Sequence, residues 1–195
     1  AYRNEDGVDP NSITETFVAA KLMFDNYRWS GVPFYVRTGK KLADKFTRID
    51  VVFKKPLIDI FANPRMKSEQ SLNSNVLTIF VEPNSGFSLR LNAKRAGQGF
   101  TTEPVDLKYL QSDEAKNESP EPYERLFHDA LEGNHTNFAS WAEIAYAWKF
   151  VDVIRKLWDI EEPQFPNYTP GSMGPAASDE LLARDGRQWV YHLNH

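Results

Sequence analysis

The sequence predicts an α+β fold: a large, mostly antiparallel β-sheet with helices packed on one face, and no Rossmann domain in the chain. Three observations lead there. Short alternating apolar and polar runs follow one another through residues 14–109, and strands mostly this closely spaced suggest antiparallel pairing, because parallel pairs need long crossovers. From residue 120 onward apolar residues recur at intervals of three and four instead, which is the helical period. Strands that precede the helices, rather than alternate with them, give the α+β order.

Residues 14–29 satisfy two patterns. Alternation places Thr16, Val18, Ala20, Leu22 and Phe24 on one face, with Phe17, Ala19, Lys21 and Met23 on the other. Ser12-x-x-Glu15 has the form of a capping box that opens a helix. Helical spacing would align Phe17, Ala20, Lys21 and Phe24 and bury a lysine, so the strand is preferred. Gly31-Val32-Pro33 then turns the chain into a short strand, Phe34-Tyr35-Val36-Arg37. Arg48 to Phe53 alternates cleanly, and Val76 to Val81 is the next strand. Asn84-Ser85-Gly86 is a hairpin turn into Phe87-Ser88-Leu89-Arg90-Leu91, and Val105 to Tyr109 completes the series.

Pro120-Glu121-Pro122 places prolines in a first helical turn, Tyr123 to Leu131 follows at helical spacing, and Gly133 stops it. Ser140-Trp141-Ala142-Glu143 is a capping box. In the helix it opens, Ile144, Ala147, Trp148, Val151, Ile154 and Trp158 form a stripe expected to pack on the sheet. Residues 161–175 are rich in Pro and Gly and read as an extended segment. With a short helix from Ser178 to Ala183, ended by Gly186, they make residues 161–195 an extended tail.

Composition excludes several classes of function. The chain has 195 residues, 41% hydrophobic and 26% charged, as a folded globular protein has. With 23 Lys+Arg against 27 Asp+Glu the net charge is −4, so general nucleic-acid binding has no electrostatic footprint. The absence of cysteine excludes disulfides, thiolate zinc sites and cysteine nucleophiles. No apolar run approaches the ~18 residues a membrane span needs, so no membrane partner is expected. The polar start, Ala1-Tyr2-Arg3-Asn4-Glu5-Asp6, is unlike a signal peptide, and without an initiator Met it suggests a piece of a longer chain. Three Asn-x-Ser/Thr matches, at Asn117, Asn134 and Asn167, are then chance. His128 and His135 stand seven apart and His192 and His195 lie at the end, so no metal site is expected.

Two phosphate-binding patterns fail. Gly97-Gln98-Gly99 begins a dinucleotide fingerprint, but Thr102 stands in place of its third Gly. Thr38-Gly39-Lys40-Lys41 resembles the end of a phosphate loop, but Phe34 replaces the first Gly and Lys41 the Ser/Thr. The charge distribution is more informative. Residues 37–55 carry seven cations (Arg37, Lys40, Lys41, Lys45, Arg48, Lys54, Lys55) against Asp44 and Asp50. Residues 103–132 are the counterweight, with nine acids and three bases. A local basic patch on an acidic chain suits a small anion better than a polyanion. Arg37-Thr38-Gly39-Lys40 turns out of an apolar strand, where a Gly admits close approach of a ligand. A Lys there can offer an ammonium to a phosphate.

The stretch from Phe24 to Leu42, with its Trp29-Ser30-Gly31-Val32-Pro33-Phe34-Tyr35-Val36-Arg37-Thr38-Gly39-Lys40 core, closely resembles the C-terminal domain of glucose-6-phosphate dehydrogenases. Asn75-Val76-Leu77 through Glu82-Pro83-Asn84, Tyr123-Glu124-Arg125-Leu126, Tyr168 through Gly174-Pro175, and Asp179-Glu180-Leu181 match in the same order and span essentially the whole chain. The resemblance implies a single C-terminal substrate-binding and dimerisation domain over residues 1–195, cut from a longer cytoplasmic enzyme. That enzyme converts glucose 6-phosphate to 6-phosphogluconolactone with reduction of NADP, the first step of the pentose phosphate pathway. The coenzyme and the general base belong to an absent N-terminal domain. The chain alone is therefore expected to hold no NADP, to carry no catalytic residue and to be inactive.

By the same resemblance Lys40 is the sugar-phosphate lysine and Lys45 a second cationic substrate contact. The implied partners are glucose 6-phosphate, the chain's own N-terminal coenzyme domain, and a second copy meeting it through the sheet. Glu82 stands where some relatives place a Gln near the sugar, and an acid there cannot donate. Phe80 stands where some relatives pair an Arg with a second, structural NADP, so no such site is expected. The alternatives are a non-enzymatic β-rich interaction domain and, last, a hydrolase using Glu103 and Asp106. Those two carboxylates are three apart, which puts them on opposite faces of a strand.

Overall fold

The computed structural model describes residues 2–58, 72–97, 101–112, 114–115, 120–160 and 167–190. Asn117, the Gln98-Gly99 pair, residues 161–166 of the extended segment, and His192 and His195 lie outside them. The chain divides into two compact units, Tyr2–Ser112 with Pro170–His195, and Asp113–Thr169.

The first unit holds the strands. β1 (Phe17–Met23) pairs antiparallel with β2 (Pro33–Gly39) over seven residues, from Phe17 opposite Gly39 to Met23 opposite Pro33. The ambiguous stretch is thus a strand, and Ser12 does not cap Glu15. Its hydroxyl instead bonds Thr14, accepting from the Thr14 amide at 3.3 Å. β3 (Thr47–Val52), β4 (Val76–Glu82), β5 (Gly86–Lys94) and β6 (Thr102–Leu110) form a four-stranded antiparallel sheet in that order. The described strands therefore fall into two hydrogen-bonded sheets. Lys40 N–H donates to Thr16 O at 2.8 Å and continues the β1–β2 ladder past Gly39. The chain leaves that ladder only in the loop before β3.

Register fixes what each face of the larger sheet carries. Ile49, Ile79, Phe87 and Tyr109 form one cross-strand row, and Val51, Leu77, Leu89 and Leu107 the next. The opposite face carries Asp50, Thr78, Ser88 and Lys108 in one row, with Arg90 opposite Asp106 in another. Several polar groups on this second face are paired. Thr78 is buried and donates its hydroxyl to Asp50 at 2.7 Å, while Arg48 Nε meets the other Asp50 oxygen at 3.0 Å. Burying such groups is tolerable only because each finds a partner.

The tail of this unit carries α3 (Ala176–Ala183), with Gly186 beyond it at φ +65°. In the second unit, α1 (Pro122–Leu131) has Pro at its start, and Gly133 follows at φ +69°. α2 (Trp141–Ile160) opens on the expected reciprocal cap: Ser140 N–H donates to Glu143 at 2.6 Å and Glu143 N–H to Ser140 Oγ at 3.2 Å. The cap holds the Glu143 carboxyl below its ordinary value, chiefly through the Ser140 amide. α2 has the predicted apolar stripe, yet none of its residues is buried, and Trp141 is 81% exposed. A stripe at helical spacing shows that a surface is suited to being covered; it does not say by what.

Candidate functional site

The loop joining β2 to β3 carries both sequence-predicted ligand residues, and Lys40 and Lys45 are exposed. The loop is held at several points along its length. The Lys40 amide is tied to Thr16. Lys41 adopts φ 51°, the left-handed region unfavourable to a side-chain-bearing residue, and its ammonium pairs with Glu5. Lys41 O accepts from Gly171 N–H and Ala43 N–H donates to Ser172 O, both at 2.9 Å. A segment more than a hundred residues away in sequence thus runs alongside the turn.

Gly39 serves a purpose different from the expected ligand approach. It has no positive φ. A Cβ added there would come within 2.7 Å of Phe17 Cδ2 and 3.1 Å of Leu42 Cδ2. The space is filled by protein side chains.

Lys45 lines a recess of about 270 Å³ at the end of the four-stranded sheet, together with Phe46, Arg48, Phe80, Glu82 and Lys108 among others. Lys40 is not part of that lining. The recess wall carries three cations and two acids, Asp44 and Glu82, with aromatic flanks. Arg48 lies 5.0 Å from the Phe46 ring centre and Lys108 Nζ 5.8 Å from that of Phe80. Such contacts add to the ion pair that Arg48 makes with Asp50. Phe80 and Glu82, the two departures from the family pattern, both border this recess.

Another cation of the basic stretch, Arg37, has a different role. Arg37 stacks its guanidinium 4.4 Å from the Trp189 ring centre, and Trp189 Nε1 donates to Ser178. Beside it, Lys21 meets Asp185 at 2.6 Å, Tyr35 donates to the same carboxylate, and Arg187 donates to the Tyr35 hydroxyl at 3.2 Å. The bond from Lys21, then that from Tyr35, holds the Asp185 carboxyl below its ordinary value. The Asp185 bond in turn raises Lys21. This cluster fastens residues 185–189 to the β1–β2 pair. Sequence reading missed it because its partners are some 150 residues apart.

Glu103 and Asp106, the weakest alternative, do not act as a catalytic pair. Asp106 is gripped by Arg90 at 2.7 and 2.8 Å in a two-pronged ion pair. Among the described residues no group of three or more His, Asp or Glu is placed to hold a metal ion. No described helix is long and apolar enough to cross a membrane.

A family model described as "Glucose-6-phosphate dehydrogenase, C-terminal domain" matches residues 1–190. The glucose-6-phosphate 1-dehydrogenase of Bacillus subtilis is 48% identical over 97% of this chain, and that of Leuconostoc mesenteroides 45% identical over 97%. The chain spans 38% of the length of each. A solved glucose-6-phosphate dehydrogenase in complex with glucose 6-phosphate superposes with a TM-score of 0.81 at 31% identity, over 97% of this chain and 38% of that one. The enzyme from Mycobacterium avium gives 0.76 at 27% identity, over 100% and 39%. The chain therefore belongs to the glucose-6-phosphate dehydrogenase family, as its C-terminal domain.

Proposed function

We propose that residues 1–195 act as the C-terminal substrate-binding and dimerisation domain of an enzyme that oxidises glucose 6-phosphate to its lactone. The observation that carries the reading is the β2–β3 loop. It carries two exposed lysines, Lys40 and Lys45, on a backbone tied to Thr16, Gly171 and Ser172. A sugar phosphate needs fixed cationic donors, because orientation of the reacting carbon is itself a large part of catalysis. In this reading Lys40 holds the phosphate and Lys45 is a second cationic contact to the substrate.

NADP supplies the hydride acceptor when bound. The described residues do not suit a dinucleotide fold, since every strand pair is antiparallel and no glycine-rich turn joins a strand to a helix. The coenzyme and the proton acceptor are assigned to the N-terminal domain, and neither NADP nor a catalytic residue to this chain. Subunit assembly is assigned to the four-stranded sheet, whose apolar rows leave Ile49, Leu107 and Tyr109 each more than half exposed. A cytoplasmic setting accords with these assignments.

In the full-length enzyme, Lys40→Ala and Lys45→Ala should each raise KM for glucose 6-phosphate about tenfold to a hundredfold, the effect of losing a charge-assisted bond. KM for NADP should stay within about twofold. A sugar-phosphate KM that is unmoved in both variants would leave a non-enzymatic β-rich interaction domain as the better account.

A further inference from the structure

Phe17 occupies an unusual place. It stands opposite Gly39 at the first rung of the β1–β2 ladder. A Cβ on Gly39 would lie 2.7 Å from its ring, and a Cβ on Gly174 would lie 2.3 and 2.6 Å from ring carbons Cε2 and Cζ. Real side chains essentially never approach so closely, so the ring fits only because both neighbours are glycine. Gly174 belongs to the segment that bonds the loop, Gly171 N–H to Lys41 O and Ala43 N–H to Ser172 O, and its own N–H donates within that segment to Ser172 Oγ at 3.3 Å. The amide of Lys40 bonds to Thr16, the residue just before Phe17.

We infer that Phe17 is a positioning residue for substrate binding: its ring, seated between Gly39 and Gly174, sets the height and angle at which the turn presents Lys40. The inference deepens the functional reading above and rests on it. Phe17 touches no substrate. It acts through the backbone of residues 39–41, which the ring supports from β1 while Gly171 and Ser172 bond the loop at Lys41 and Ala43. A shift of that backbone moves the ammonium away from the phosphate, and a displacement of about an ångström is enough to cost up to a hundredfold in a positioned reaction.

The test is a set of variants of the full-length enzyme, assayed for KM and kcat and for thermal midpoint. Gly39→Ala forces the ring or the turn to move, and should raise KM for glucose 6-phosphate about tenfold while KM for NADP holds. Gly39 lacks a positive φ, so alanine there is not strained by its backbone and the effect is steric. Adding Phe17→Leu, which shrinks the wedge, should return KM most of the way to wild type. Phe17→Leu alone, which keeps a folded apolar contact, should raise KM severalfold. A purely structural role predicts a lowered thermal midpoint in Gly39→Ala with KM unchanged, and that result overturns the inference. So does a raised KM that Phe17→Leu fails to reverse. Lys40→Ala run in parallel separates the two levels. If it raises KM but the Gly39 and Phe17 variants do not interact, the wedge alone is wrong. If it leaves KM unmoved, the substrate assignment falls, and the wedge with it.

Discussion

Removing Arg90 and Asp106, singly and together, should reveal a coupling of about 1 kcal/mol between β5 and β6. The two residues are register partners on adjacent strands, and both guanidinium contacts, at 2.7 and 2.8 Å, have charge-assisted hydrogen-bond lengths. The pairing also raises Arg90 above its already high ordinary value, the Asp106 bond being the leading cause. A fully protected bond of this kind contributes about 1.5–3 kcal/mol. These side chains remain 24% and 31% exposed. Water and salt reach them, which pulls the figure toward the upper end of the exposed range, near 1 kcal/mol. The assay is a double-mutant cycle with Arg90→Met and Asp106→Asn, read as urea unfolding of the full-length enzyme. Because the Debye length shrinks to about 3 Å at 1 M salt, the coupling should fall when the cycle is repeated there. A coupling within about 0.3 kcal/mol of zero at low salt would refute the claim that this pair links β5 to β6.

The other predictions concern the cap, the tail clasp and the acidic limb of stability. Ser140→Ala should cost about 1 kcal/mol and speed amide exchange at Glu143, because the first turn of α2 loses its acceptor. Asp185→Asn should loosen residues 185–189, seen as faster amide exchange of Arg187. The Asp185 carboxyl is lowered from 3.8 in the folded chain, so its contribution is fully present above that value and is lost as pH falls through the lowered one. The advantage of wild type over Asp185→Asn should therefore persist at neutral pH and fade only below about pH 4. Lys21 is raised above 10.5, so the same clasp should weaken on the alkaline side only as pH climbs through that raised value.

The two capping-box patterns in the chain show how far the fold was legible. Ser12-x-x-Glu15 and Ser140-x-x-Glu143 look alike, and only the second is a cap. What separates them is the period of the residues that follow: alternation after Ser12 and three-and-four spacing after Ser140. Seven rungs with β2 then secure the strand. Strand lengths were less legible. β6 begins at Thr102 and contains Pro104, which normally argues against a strand. β6 lies at the end of the order β3-β4-β5-β6, where a missing amide is tolerated.

At the candidate site, local charge pattern was enough to single out the loop with Lys40 and Lys45. It could not show that Lys45 borders a recess and Lys40 does not, since the recess is assembled from three strands and two turns. Nor could it show why residue 39 is glycine. The answer lies in Phe17 and Leu42, brought to it by folding. The tail cluster of Lys21, Tyr35, Asp185 and Arg187 was invisible for the same reason. None of its members is unusual in its own neighbourhood.

The most direct measurement of the central claim is phosphate discrimination. In the full-length enzyme, kcat/KM for glucose 6-phosphate divided by kcat/KM for unphosphorylated glucose reports how strongly the phosphate is read. If the β2–β3 loop reads it, Lys40→Ala lowers that ratio about tenfold to a hundredfold, mostly by weakening use of the phosphorylated sugar. A ratio unchanged by Lys40→Ala would contradict the assignment of this loop as the phosphate site.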